Sequence, residues 1–134
     1  MDRSSIRELA FKLIYSIEIQ KTNDIEEAIK LYIEANEINS TNAKSYIEDA
    51  ALGILKNIDE IANEIEKNLK SEWKIERISK INLSLLKLAI YEIKYKQIPF
   101  KVEINEVVEL AKKYGDEQAS KFINGMLAKV VKDM

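Results

Sequence analysis

The segment NLSLLKLAIYEIKYK, residues 82–96, decides the fold because it is apolar on almost every side of a helix. A surface helix keeps one polar face, whereas leucine, isoleucine and alanine here occupy adjacent positions as well as positions three and four apart. Such a helix is stable only when neighbouring elements cover most of its surface. The segment therefore predicts a central helix with further helices packed around it.

Downstream of this helix, Pro99 provides a stop signal. Proline lacks the amide hydrogen that a helix needs and disfavours α geometry in the preceding Ile98. The alternating apolar residues that follow would suit a strand, but a single strand would have no partner. Helical spacing then takes over up to Tyr114, so a helix is predicted from about Lys101.

Two glycines mark the last part of the chain. Gly115 occupies the position of a helix C-terminal glycine and is expected to adopt the left-handed conformation. A final helix is predicted over residues 116–132. Gly125 lies in its interior, where glycine costs about 1 kcal/mol relative to alanine, and close packing against another helix is the expected compensation.

Upstream, apolar residues recur at helical spacing over three further segments. Ser5 and Glu8 have the spacing of a capping box and predict the start of the first helix. A second helix is predicted over residues 24–36. The long periodic segment 43–69 is expected to break near Asn57, which gives two more helices.

The helical pattern lapses around Ser71 and Trp73. We expect this interruption to separate an N-terminal layer, residues 1–70, from a C-terminal layer, residues 73–134, within a single domain of 134 residues. Together the segments predict an all-α fold of about seven helices.

Composition narrows the possible functions. The chain contains no cysteine and no histidine, so disulfides, thiolate nucleophiles, imidazole bases and the commonest metal ligand are excluded. No catalytic residues, metal or cofactor are expected. There is no apolar run long enough to cross a membrane and no signal-peptide pattern, which predicts a cytoplasmic protein. The net charge is −2, but residues 1–72 carry −6 and residues 73–134 carry +4.

The C-terminal half also carries a specific resemblance. LLKLAIYEI, residues 85–93, is followed by IPFKVEINEVVELAKKYGDEQASKFINGML, residues 98–127. In residue types and spacing these segments resemble the NusB family of transcription antitermination factors. The resemblance implies an all-α fold of about seven helices in two packed three-helix layers.

The resemblance also implies a function. Members of the family bind the boxA element of nascent RNA together with NusE, a ribosomal protein, and help RNA polymerase to read through terminators in ribosomal RNA operons. The N-terminus, the first helix and the start of the last helix form their RNA-binding face. By position, the implied RNA-binding residues here are Arg3, Arg7, Lys12, Tyr15, Gln118, Lys121 and Phe122.

Two features of this sequence depart from the family pattern. The basic N-terminus is sparse, which predicts weak intrinsic affinity for RNA. The implied partner-binding residues are Asn82, Leu83, Leu86 and Lys87, and Asn82 stands where several relatives carry an acidic residue.

Arg7 is expected to be an exposed cation, so that Arg7→Ala would change stability by no more than about 0.5 kcal/mol.

Other interpretations of the same residues remain open at this point. Tyr15 and Phe122 lie on or beside apolar helix faces and also suit the core. Glu92 is expected to bind backbone donors near Asn105, and Glu106 is expected to be structural. The chain could instead be a helical adaptor or homodimer that does not bind RNA, a stand-alone relative of the NusB-like domain of ribosomal RNA cytosine methyltransferases, or a carboxylate-based hydrolase.

Overall fold

The computed structural model describes residues 1–70 and 73–134, and this part of the chain is helical. Seven α-helices occur in the order α1 Arg3–Gln20, α2 Ile25–Ala35, α3 Thr41–Lys56, α4 Ile58–Asn68, α5 Lys80–Tyr95, α6 Phe100–Tyr114 and α7 Ala119–Lys132, with a 3-10 turn at Ile75–Arg77. The predicted all-α class and the number of helices are confirmed. Ser71, part of the predicted interruption, lies outside the described residues.

The first helix begins earlier than the sequence pattern suggested. The Asp2 carboxylate accepts a hydrogen bond from the Ser5 amide at 2.8 Å and caps α1, so the predicted Ser5–Glu8 capping box is wrong. An aspartate at this position satisfies an unpaired amide and places a negative charge at the positive end of the helix dipole. Glu8 is thereby left to contact α6.

Helix α5 is the centre of the fold, as its apolar composition predicted. Its residues Leu85, Leu86, Leu88, Ala89 and Ile90 are completely buried. Helices α1, α3, α4, α6 and α7 all pack against it. Helix α4 packs mainly on α5 and α7 and also meets α3.

The turn at Gly115 requires a glycine because α6 and α7 approach each other closely there, and not because the backbone is left-handed. Its φ of −97° and ψ of −175° are extended, so the predicted left-handed conformation is wrong. A Cβ atom at this position would lie 2.6 Å from the Ala119 Cβ and 2.8 Å from the Ala111 carbonyl oxygen. Glycine is needed because α6 and α7 meet here too tightly for any side chain.

A buried ionic cluster, centred on Arg7, joins the two layers. The Nε atom of Arg7 lies 3.0 Å from Glu92 Oε1 and 3.5 Å from Glu103 Oε1, and its Nη1 atom lies 3.5 Å from Glu106 Oε1. On the other side, the Tyr46 hydroxyl donates to Glu92. The cluster thus contains side chains from α1, α3, α5 and α6.

Arg7 is only 2% exposed, so the prediction that it is a surface cation is wrong. Burial alone would lower the pKa of Arg7, but the neighbouring acidic groups, Glu92 foremost, outweigh that effect and raise it. The guanidinium therefore stays charged inside the protein and is engaged by the fold. Glu92 binds the side chains of Arg7 and Tyr46 and not the backbone near Asn105, so that expectation is also wrong.

Glu103 is the carboxyl group in this cluster that is least able to ionise. It is completely buried, and neither of its oxygens has a hydrogen-bond partner among the described residues. Burial, reinforced by the neighbouring carboxylate of Glu92, raises the pKa of Glu103 from 4.5 to about 10. At neutral pH the cluster therefore balances one guanidinium against the charges of Glu92 and Glu106, with Glu103 protonated.

Arg7→Ala is expected to lower the free energy of unfolding by about 3 to 5 kcal/mol, because it leaves buried carboxylates without their cation. Urea or thermal unfolding measures the loss. Arg3→Ala is the matched control: Arg3 is exposed on the same helix, and its loss should change stability by no more than about 0.5 kcal/mol. Equal, small effects of the two substitutions would contradict the structural role of Arg7.

Glu103→Gln tests the protonation of the buried carboxyl. In the unfolded chain Glu103 ionises above pH 4.5, whereas in the folded chain it stays protonated, so its contribution to stability is full below pH 4.5 and is lost toward pH 10. Glutamine does not ionise, so the variant should gain stability relative to the wild type by up to about 1.4 kcal/mol per pH unit above neutrality.

Denaturant unfolding of both proteins from pH 6 to pH 9 measures the difference. Glu109→Gln, at an exposed position of the same helix, is the control and should run parallel to the wild type. A Glu103→Gln curve that also runs parallel to the wild type would show that Glu103 is ionised in the folded state.

Candidate nucleic-acid interface

The exposed face of α1 carries two of the predicted RNA-binding cations. Arg3 and Lys12 are both exposed. The Nζ atom of Lys12 lies 5.7 Å from the centre of the Tyr114 ring, a cation–π distance. Tyr15 is half-buried and stacks on the core residue Phe11 with ring centres 6.2 Å apart. Tyr15 thus combines the two roles considered from the sequence: one part of the ring packs inward and the rest is accessible.

Tyr114, which the sequence analysis did not select, connects α1 to the end of α6. Its ring packs on Phe11 with centres 5.3 Å apart, and its hydroxyl donates to Glu8. Lys113 also donates to Glu8 at 2.7 Å, and these two hydrogen bonds lower the pKa of Glu8. The signal in the sequence was helical spacing alone, which indicates core and cannot show that cations flank the ring.

The start of α7 presents the remaining predicted RNA-binding residues. Gln118 is exposed at the N-cap position of this helix, where its side chain makes no capping hydrogen bond, and its backbone amide donates to the Asp116 carboxylate at 3.0 Å. Lys121 is exposed, and Phe122 is half-buried with its ring against the core. Gln118 follows Tyr114 closely in the chain, across the Gly115 turn. Tyr114 therefore contacts α1 directly and precedes the start of α7 by a few residues in the chain.

Beside Lys121 and Phe122 lies an apolar groove of about 260 Å³. Trp73, which is 50% exposed, lines it from the segment before α5, and Gly125 lines it from α7. A Cβ atom added at Gly125 would meet nothing within 4 Å, so the expectation that this glycine marks close helix packing is wrong. Gly125 instead faces open space in the groove.

The predicted partner-binding residues separate into two groups. Leu83 and Leu86 are buried on α5, so the prediction that they face a partner is wrong: a helix covered on most sides turns these positions into the core. Lys87 is half-buried and paired with Glu18 of α1. Asn82 is half-buried, and its side-chain oxygen is buried without a hydrogen-bond partner among the described residues.

Other candidate chemistry is not assembled in the described parts of the chain. The Ser79 hydroxyl accepts a hydrogen bond from the Asn82 amide at 3.1 Å and caps α5, so it does not form a serine–lysine pair with Lys80. Residues 1–70 and 73–134 contain no group of three or more carboxylates placed to hold a metal ion. No described helix has the length and apolarity needed to cross a membrane.

Comparisons with known proteins agree with this architecture. A family model described as the NusB family matches residues 4–132. The transcription antitermination protein NusB of Acetivibrio thermocellus is 50% identical over 133 residues, which cover 98% of this chain and 90% of the relative. That of Listeria monocytogenes is 41% identical over 131 residues, covering 97% of this chain and 96% of the relative.

Solved structures show the same likeness. A structure of T. maritima NusB has a TM-score of 0.90 and 30% identity, covering 99% of this chain and 92% of that one. A crystal structure described as the antitermination factors NusB and NusE in complex with double-stranded RNA has a TM-score of 0.88 and 28% identity, covering 98% and 97%. The family model, the near full-length relatives and the shared seven-helix fold give one conclusion: the chain belongs to the NusB family.

Proposed function

We propose that this chain is an RNA-binding transcription antitermination factor that acts as a scaffold, assembling with NusE on a boxA-type RNA of ribosomal RNA operons. The observation that carries the proposal is the pairing of exposed cations with aromatic rings at two places: Lys12 lies at the Tyr114 ring, and Lys121 lies beside Phe122 at the groove. Cations that hold phosphates and rings that meet unstacked bases are the elements of single-strand recognition. The relative solved with NusE and RNA shares the fold that positions these residues.

The proposed RNA-binding surface consists of exposed or half-buried residues only. Arg7 is excluded because it is buried in the ionic cluster. Tyr114 is added because the ammonium groups of Lys12 and Lys113 lie 5.7 and 5.4 Å from the centre of its ring. The surface then comprises Arg3, Lys12, Tyr15, Tyr114, Gln118, Lys121 and Phe122.

The proposed partner surface lies at the start of α5. Asn82 carries a side-chain oxygen that no described donor satisfies, and a buried acceptor of this kind is stabilised when a partner supplies a donor. Lys87, farther along α5, is half-buried and paired with Glu18. Leu83 and Leu86 support the two polar residues from the core and do not contact the partner.

Binding of RNA by the chain alone should be weak and should strengthen with the partner. The exposed cations are mostly lysines, which act as point charges and lack the two-pronged geometry with which arginine holds a phosphate. Two weak RNA surfaces held in one complex act at a high effective concentration, so affinity rises without new contacts.

Lys12→Gln combined with Lys121→Gln is expected to weaken binding of a labelled single-stranded boxA-type RNA in the presence of NusE. A single-strand complex loses about 0.7 from its log–log salt slope for each phosphate contact removed, so the double substitution should lower the slope by roughly 1.4. Fluorescence anisotropy at several salt concentrations measures both the affinity and the slope.

Lys30→Gln is the matched control for this experiment, since Lys30 is exposed on α2, away from the proposed surface. It should leave the affinity and the salt slope unchanged. A duplex of the same sequence tests whether the protein prefers single-stranded or double-stranded RNA. If the wild type binds neither RNA with NusE present, the chain is a helical adaptor and the proposed function is wrong.

A further inference from the structure

We infer that the groove between the Trp73 segment and α7 holds one unstacked nucleobase of a single-stranded RNA, and that Gly125 keeps this groove open. The inference rests on the proposed function and deepens it, because it extends the RNA path beyond Lys121 and Phe122. The position of Gly125 in the fold does not itself require a glycine.

Gly125 has no structural reason to lack a side chain. It lies in the interior of α7, where glycine is unfavourable relative to alanine, and an added Cβ would meet nothing within 4 Å. In contrast, a Cβ at Gly53 would overlap the Tyr91 ring and one at Gly115 would approach Ala119 to 2.6 Å. What the missing side chain provides at Gly125 is space in the groove.

The walls of the groove suit a flat ring. Trp73 offers half of its surface to solvent, and Phe122 and Met126 line the opposite side from α7. The volume of about 260 Å³ is below the range of roughly 300 to 1,000 Å³ typical of pockets for drug-sized ligands. One base stacked on an indole ring fits these dimensions, and every base has a face that can stack.

The described residues at the rim of the groove are positively charged or neutral. Lys121 and Lys129 lie four residues before and after Gly125 on α7, and Lys70 lies on the opposite edge. None of the described residues that line the groove is acidic. Positions four apart share one face of a helix, so the two lysines of α7 flank the gap left by the glycine. An apolar slot between cations fits a base with a phosphate on either side.

The groove also continues the proposed RNA surface. Lys121 and Phe122 belong to both, so a strand that crosses the start of α7 passes directly into the groove. A protein segment would need acidic groups to match the same rim. We therefore assign the groove to RNA, and binding of NusE there is an outcome of the test.

Gly125→Leu is the decisive substitution, because it fills the groove from an exposed helical position. We expect a melting temperature at or above that of the wild type, since leucine is the better helix former. We expect affinity for the labelled single-stranded boxA-type RNA, measured with NusE by anisotropy, to fall about 5- to 150-fold, the range for loss of one base stack. Gly125→Ala is the graded comparison: it should also melt at a higher temperature, and its single methyl group should reduce the affinity less than the leucine does.

Trp73 supplies an independent readout because it is the only tryptophan in the chain. Titration of the wild-type protein with the unlabelled RNA should quench its emission, and Gly125→Leu should abolish the quenching. Trp73→Phe should lose less affinity than Trp73→Ala, since phenylalanine retains a stacking face.

The outcomes separate the groove from the proposed function. If the wild type binds RNA but Trp73 emission is unchanged and Gly125→Leu binds as tightly as the wild type, the groove is not an RNA site and the proposed function stands. If Gly125→Leu instead weakens binding of NusE without RNA, the groove is a protein site. If the wild type binds no RNA under any condition, both inferences are wrong.

Discussion

The guanidinium of Arg7 is a positive charge buried where α1, α3, α5 and α6 meet, and the geometry of the whole molecule follows from the need to compensate it. Removing an arginine from water is costly, and one carboxylate alone seldom repays that cost. Here Glu92 and Glu106 supply charge, Tyr46 orients Glu92, and Glu103 takes up a proton. The groups come from four helices, α1, α3, α5 and α6, so the cluster is complete only when these helices are packed together.

The burial of Arg7 removes an arginine from the exposed face of α1. The chain has few arginines, and one of them is held in the interior, so the exposed face of α1 depends on Arg3 and Lys12 for its positive charge. Lysine binds phosphate as a point charge, which gives attraction without fixed orientation. Aromatic rings then have to provide the orientation. The placement of Tyr114 beside Lys12 and Lys113 supplies such a ring at the junction of α1 and α6.

The sequence predicted the helices well and the surface poorly, for one physical reason. Helices follow from local spacing and breaks, and the Pro99 stop and the Asn57 break were predicted correctly. Exposure depends on residues far apart in sequence: Arg7 is buried because glutamates more than eighty positions away meet it. A local sign was present, since Arg7 lies at helical spacing from Ala10 and Ile14 in the apolar stripe. The nearly uniform apolarity of α5 likewise indicated that its leucines are core and not a partner surface.

Gly115 and Gly125, whose roles were predicted wrongly from the sequence, are glycines for opposite reasons although they lie close together in the chain. Gly115 is required because two helices come too close for a side chain, whereas Gly125 stands where nothing comes close. Helix α7 must bury Ile123 and Leu127 and at the same time present Lys121 and Lys129 on its outer face. Eight residues of helix place those two lysines about 12 Å apart along the axis. A large side chain between them would fill the groove, so the loss of helix stability at Gly125 is the cost of keeping the groove open for a ligand.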